Sequence, residues 1–302
     1  MNFQEFKEQY EKVPAKHYPH KVDDNPVVTV CVQTYNHAPY IKECLDGILM
    51  QETNFPFEVL LGEDASKDGT REICTEYAQK YPEKIRLFLH HRENNIEIGG
   101  QPTGRFNFLY NLYSAGGKYI ALCEGDDYWT DPLKLQKQVA FMEGNEDCSL
   151  CFHNVKTTYE NNSIEDSLVI ESHKKSNWVS IREVISNKPR IATVSMVFVN
   201  KKVVEFFTSW AVSISAGEKA IQLSSTQIGK IYYINDIMAV YRSHVGGLSF
   251  NYDLSKRINI YKNLYKNFNK KTKGKYFIYT LKRILALRLK IIVKIFNNKC
   301  FK

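Results

Sequence analysis

Three carboxylates fall within four residues at Glu124-Gly-Asp-Asp, directly after the apolar run Lys118-Tyr-Ile-Ala-Leu-Cys. Ionised carboxylates this close raise one another's pKa unless a cation neutralises them. A hard divalent ion such as Mg²⁺ or Mn²⁺ suits oxygen ligands and fills its shell with substrate phosphates. The bland alternative is a solvated acidic turn, but two further polar clusters occupy equivalent places. Gln33-Thr-Tyr-Asn follows the run Pro26-Val-Val-Thr-Val-Cys-Val, and Glu63-Asp-Ala-Ser-Lys-Asp-Gly-Thr follows Phe57-Glu-Val-Leu-Leu-Gly. A carboxylate such as Asp64 at a strand end can accept a ring N–H from uracil, thymine or guanine, or it can merely cap the next helix. Asp68-Gly69-Thr70 reads as turn and cap chemistry.

The elements that position these clusters follow from pattern. Continuous β-branched runs at 26–32, 57–62, 84–89 and 118–123 suit strands buried on both faces. Helical patterns lie between them at 40–51, 70–81 and 106–114. Asp131-Pro132 predicts a helix start, running to about Glu143. Strands are expected over 148–170 with a turn at Asn161-Asn162, and again over 191–199 and 230–242, with a helix over 217–229. Alternation of this kind predicts an α/β fold with a doubly wound, mostly parallel sheet, whose ligands gather at the carboxyl ends of the strands.

These three motifs, in this order and spacing over residues 26–155, resemble the family-two inverting glycosyltransferases of GT-A fold, including the bacterial surface-polysaccharide type. The resemblance implies that Gln33, Thr34 and Tyr35 contact the nucleoside and Asp64 its base, a UDP-sugar being favoured. It places Asp126 near ribose and diphosphate, Asp127 on a divalent metal, and Glu124 at the outer acidic position, where Glu replaces Asp. An inverting transfer needs a general base to deprotonate the acceptor hydroxyl. Glu218, in Gly217-Glu218, falls where the family carries that carboxylate, although Glu again replaces Asp and a first-turn Glu also suits a helix dipole. Within Tyr241-Arg-Ser-His-Val-Gly-Gly, Arg242 is placed to offset leaving-group charge and His244 to ligate metal or bond phosphate. The implied partners are a nucleotide sugar and a glycan or lipid-linked acceptor.

Charge is unevenly spread. Residues 254–302 hold 15 Lys or Arg and no Asp or Glu, whereas the remainder holds 26 basic and 33 acidic residues. The expected organisation is an N-terminal extension (1–25), a donor-binding half (26–155), an acceptor-side half (156–252) and a basic helical tail (253–302). Between Phe277 and Phe296 the tail is apolar yet carries five Lys or Arg, which argues against a membrane span and for an interfacial helix on anionic lipid. A helical wheel groups Phe277, Leu281, Ile284, Ile291, Ile292 and Ile295 opposite Arg283, Lys290 and Lys294, with Arg288 interrupting the apolar face. A helix packed on the body is the competing reading.

Seven scattered cysteines and the absence of a leader-like segment predict reduced thiols and a cytoplasmic protein peripheral to the inner membrane face. Cys148-Ser-Leu-Cys151 lacks a second ligand pair and reads as strand. Nucleic-acid binding is disfavoured because no binding module accompanies the basic tail. A nucleotidyltransferase would require a Gly-rich loop after the first strand, and none is present. A non-catalytic nucleotide-sugar-binding protein on the same fold remains the alternative, since Glu124 and Glu218 depart from the family pattern.

Overall fold

In a computed structural model, residues 1–98, 100–160, 165–170, 177–247 and 254–300 are described, with side chains described as far as Ile291. The chain order begins α1 (Phe3–Tyr10), β1 (Lys16–His17), β2 (Val28–Thr34), α2 (Ile41–Leu49), β3 (Phe57–Glu63), α3 (Thr70–Lys80) and β4 (Ile85–Leu89). It continues with β5 (Glu97–Ile98), β6 (Gln101–Pro102), α4 (Arg105–Ser114), β7 (Tyr119–Glu124), β8 (Tyr128–Trp129), α5 (Lys134–Glu143) and β9 (Cys148–Tyr159). After these come β10 (Ser167–Leu168), β11 (Trp178–Val179), α6 (Ile181–Ser186), β12 (Val197–Val199), α7 (Asn200–Thr208) and α8 (Gly217–Ile228). The chain ends with β13 (Lys230–Ser243), α9 (Leu254–Lys271) and α10 (Phe277–Cys300).

The main sheet runs β1-β4-β3-β2-β7-β12-β9-β13-β11, with β10 on β9 and β8 on β13. Every residue of β2 and β3 is buried, as central parallel strands require. Their side chains alternate between two cores: Val28, Val30 and Val32 face one side with Val59 and Leu61, while Cys31 and Leu60 face the other. Register decides where the polar clusters end up. Gln33 lies opposite Gly62 on β3 and opposite Glu124 on β7, so three strands end at one level and their loops open into one crevice.

The predicted doubly wound sheet is present, with two physical refinements. Strand β12 is antiparallel to both β7 and β9, although the long β9–β13 pair is parallel. The short β8 pairs with β13 through Ala239↔Trp129 and Val240↔Tyr128, which carries Tyr241–His244 to the acidic loop. The predicted helix start at Asp131-Pro132 is corrected to Lys134, because the Asp131 carboxylate takes the Leu133 N–H and the Lys137 ammonium and closes a turn. The predicted turn at Asn161-Asn162 lies outside the described residues. Cys148 and Cys151 are both buried in β9, as the strand reading expects.

The extension before β2 is not a loose tail. Asn2 and Glu5 form a reciprocal capping box that starts α1. Its Phe6 is fully buried and stacks on Phe106 at a centroid distance of 5.2 Å. At the other end, α10 packs against α6 and α9. Tyr276, Thr280, Ile284 and Leu287 are buried along this contact, whereas Phe277 and Leu281 are exposed. The single apolar arc expected from the helical wheel is therefore split, with Ile284 turned inward and Phe277 and Leu281 outward. The side chains of Ile292, Lys294 and Ile295 lie outside the described residues.

Candidate active site

Close approach at the end of β7 shapes the crevice. Gly125 crosses the end of β2 so tightly that a Cβ there would lie 2.7 Å from Thr34 Oγ1 and 2.9 Å from His37 Nδ1. Asn36 and Ala65 both hold positive φ, 53° and 58°, in the loops after β2 and β3. The two loops are clasped by Asn36 N–H to Ser66 Oγ at 2.9 Å and Lys67 N–H to Asn36 Oδ1 at 3.1 Å.

Several polar atoms at this crevice have no hydrogen-bond partner among the described residues. Gln33 Nε2 and Oε1, Thr34 Oγ1, His37 Nδ1 and Asp64 Oδ1 are all buried and unpaired. Buried polar groups are normally satisfied, so an orphaned set at the ends of β2 and β3 marks a ligand site. The neighbouring carboxylates divide by role. Glu63 is fully buried and spent on Ser66 N–H and the Arg71 guanidinium, which fixes the loop. Asp64 accepts from Arg92 Nη1 at its Oδ2, 2.7 Å away. Burial lifts Asp64 to about 6, against the pull of Arg92. The Arg92 guanidinium also lies 3.9 Å from the centroid of the Tyr35 ring, which is 39% exposed and offers a stacking face.

In the acidic loop the two aspartates point differently. Asp126 Oδ2 lies 3.0 Å from His244 Nε2 and 3.8 Å from His37 Nε2. Although burial opposes it, the bond from His244 and the neighbouring His37 hold Asp126 below its ordinary range. The same contact with Asp126 raises His244. Asp127 instead turns into the fold, where Oδ1 accepts the Arg242 N–H at 2.9 Å. Burial and then Asp126 push Asp127 well above the carboxylate range. Of the two aspartates it is Asp126 that contacts the His244 ring, while Asp127 contacts the backbone of Arg242. Arg242, expected to face the leaving group, donates to the Asp126 carbonyl at 2.8 Å, pairs with Glu43, and lies 4.3 Å from the Tyr128 ring centroid.

At the end of β7 the Glu124 carbonyl accepts from the Asp127 N–H and Cys44 Sγ, and its carboxylate makes no hydrogen bond among the described residues. It is pushed up to about 8, first by burial and then by Asp126 and Glu218, against Arg105. Glu218 is exposed at the first turn of α8. The residue between them, Arg105, carries no sequence motif and was not predicted. It is buried at the start of α4, and its guanidinium donates to the carbonyls of Ile214 and, at 3.3 Å, Ser215. A Cβ on Gly217 would come within 2.2 Å of Arg105 Nη1, so glycine is required there for the guanidinium to hold the turn that presents Glu218. Arg92 is the second functional candidate without a sequence signal.

A divalent cation fits the donor set in kind. Asp126 supplies a carboxylate oxygen and His244 an imidazole nitrogen, leaving most of a shell to phosphate and water. Among the described residues no group of three such side chains forms a closed metal centre.

The profile described as glycosyl transferase family 2 matches residues 29–206. An uncharacterized protein of Mycobacterium tuberculosis is 35% identical over 215 residues, covering 71% of this chain and 58% of that protein. An uncharacterized glycosyltransferase of Methanocaldococcus jannaschii is 34% identical over 153 residues, covering 50% of this chain and 49% of the other. The chain therefore matches about half the length of these relatives. Among solved structures, S. aureus TarS 1–349 aligns with a TM-score of 0.56 and 17% identity, covering 80% of this chain and 64% of that one. The mannosyltransferase PcManGT of Pyrobaculum calidifontis, solved with GDP-Man and Mn²⁺, aligns at 0.53 and 18% identity, covering 88% and 70%. The chain belongs to glycosyl transferase family 2 and carries the GT-A fold of these structural neighbours.

Proposed function

We propose that this protein transfers a sugar from a nucleotide diphosphate sugar, a UDP-sugar being favoured, to a glycan or lipid-linked glycan, with inversion at the anomeric carbon. The observation that carries this reading is the orphaned polar set at the ends of β2 and β3, level with Glu124 at the end of β7, beside a buried arginine that feels the charge of both Glu124 and the exposed Glu218. Residues 26–155 would bind the donor, 156–252 receive the acceptor, and 253–302 form the tail of a protein peripheral to the inner membrane face.

Gln33 and Thr34 contact the nucleoside, Tyr35 and Arg92 flank the base, and Asp64 Oδ1 accepts its ring N–H. Asp126 and His244 lie toward the ribose and diphosphate and would hold Mn²⁺ or Mg²⁺, which when bound supplies charge neutralisation for the departing diphosphate. Asp127 and Arg242 fix the loop against β13. Glu124, raised by burial and by Asp126 and Glu218, presents a carboxyl to the sugar hydroxyls. Glu218 takes the proton of the acceptor hydroxyl as that oxygen bonds to the anomeric carbon. The bond to the diphosphate breaks on the opposite face, and the nucleoside diphosphate leaves. Complexes of S. aureus TarS with UDP-GlcNAc and of PcManGT with GDP-Man and Mn²⁺ support the donor class by analogy of fold.

The test is release of nucleoside diphosphate from a panel of nucleotide sugars, with and without Mn²⁺, in the presence of membrane extract as acceptor. Metal-stimulated release from a UDP-sugar is expected. Donor binding with no release from any member of the panel would leave a nucleotide-sugar-binding protein in its place.

A further inference from the structure

Helix α10 has two apolar faces, and only one of them is used. The inward face, Thr280, Ile284 and Leu287, is buried against the body. On the outward face Phe277, Leu281, Leu285 and Leu289 recur at every fourth residue with exposures of 58%, 43%, 47% and 60%, and Ile278 beside them is 58% exposed. Four such residues in a row cover about 18 Å of helix at 1.5 Å per residue. An outer helix face that only met water would be polar, and contiguous exposed apolar surface of this kind marks an interaction site.

Charge selects the occupant. Lys282, Arg288 and Lys290 are exposed around or within the stripe, and the whole segment 254–302 contains no Asp or Glu. A second copy of this chain would bring another 15 cations against the first 15, which disfavours self-association through this face. An anionic bilayer surface instead accepts the apolar row into its acyl boundary while the Lys and Arg stems extend to the headgroups. No helix of the described residues is long and apolar enough to cross a membrane, so the geometry is that of a helix lying in the interface.

We propose that the Phe277-Leu281-Leu285-Leu289 face of α10 docks on an anionic lipid surface while its Ile284-Leu287 face holds the helix to the catalytic body. The interfacial helix and the body-packed helix, rival readings of the sequence, become two faces of one element. Because α10 packs on α6, and α6 on α8, the bilayer would lie on the side of the molecule that carries Glu218. This inference stands on the tail alone and does not require glycosyl transfer.

The test is co-sedimentation with vesicles of pure phosphatidylcholine and of phosphatidylcholine with phosphatidylglycerol, comparing the wild type, Leu281→Asp/Leu285→Asp and the control Ile237→Asp, whose side chain is exposed on β13. UDP binding and circular dichroism report that each variant is folded. The wild type and the control should bind only the anionic vesicles, more weakly at high salt, and the double variant should lose at least tenfold in bound fraction. Equal sedimentation of double variant and wild type, or no binding by the wild type, overturns the proposal. So does a concentration-dependent dimer of the wild type that the double variant abolishes, which would make the occupant a second copy.

Discussion

Replacing Arg105 by lysine separates its two contributions, because the charge stays and the fork is lost. In the native chain the guanidinium serves the carbonyls of both Ile214 and Ser215 from a buried position, and a shorter-branched ammonium reaches at most one of them. A hydrogen bond from a charged donor contributes about 2 kcal/mol net, so Arg105→Lys should cost about that much stability, or roughly 3 °C in Tm. The released carbonyl frees the turn before Gly217, and a displacement of about 1 Å at Glu218 costs on the order of 100-fold in rate. Donor contacts at Gln33, Asp64 and Asp126 lie on other elements and should be untouched. Thermal denaturation followed by initial rates at varied donor therefore predicts a lower Tm, kcat down about 100-fold and donor KM within about threefold. A variant with native kcat despite the lowered Tm would refute the link from Arg105 to Glu218, and a raised donor KM with native kcat would place Arg105 in donor binding.

Three further perturbations probe separate parts of the account. In Asp64→Asn the one remaining acceptor oxygen is held by Arg92 and the amide NH2 meets the base N–H, which should weaken UDP binding about tenfold by calorimetry, about 1.4 kcal/mol, with little change in Tm. Lys134 is fully buried over Trp129 and pushed down to about 7 by burial, so between about pH 7 and 10 the unfolded chain carries a proton that the folded chain has shed. Stability contributed at this residue thus rises with pH across that window, and the advantage of Lys134→Met over wild type should be largest at or below pH 7 and shrink by about 1 kcal/mol per pH unit above it, as read by urea unfolding. Asp126→Asn should abolish stimulation by Mn²⁺ in the release assay, whereas Glu63→Gln, which alters a structural ion pair, should lower Tm and leave metal stimulation in place.

How much was legible in the sequence depended on the range of the interaction. The buried strands at 28–34 and 57–63 and the polar ends that follow them were legible because β-branched runs and the residues after them are local signals. Arg105 and Arg92 were not, since each acts across a long sequence separation, on Ile214 and on Asp64, and a lone arginine in a helix or a turn has no local signature. The opposite orientations of Asp126 and Asp127 were hidden for the same reason. They are set by the pairing of β8 with β13, more than 100 residues on, which presents His244 to one aspartate and the Arg242 N–H to the other. For α10 a single helical wheel could show amphipathicity but not that, among the described side chains, the body would claim the face of Thr280, Ile284 and Leu287.

The most direct test of the central claim compares Glu218→Gln with wild type in two assays on the same preparation, UDP-sugar affinity by calorimetry and sugar transfer to membrane-extract acceptor. Native donor affinity with transfer reduced at least 1,000-fold is the predicted result, because the substitution removes only the proton acceptor on an exposed helix turn. Transfer within a few-fold of wild type would contradict the account and return the base to another carboxylate.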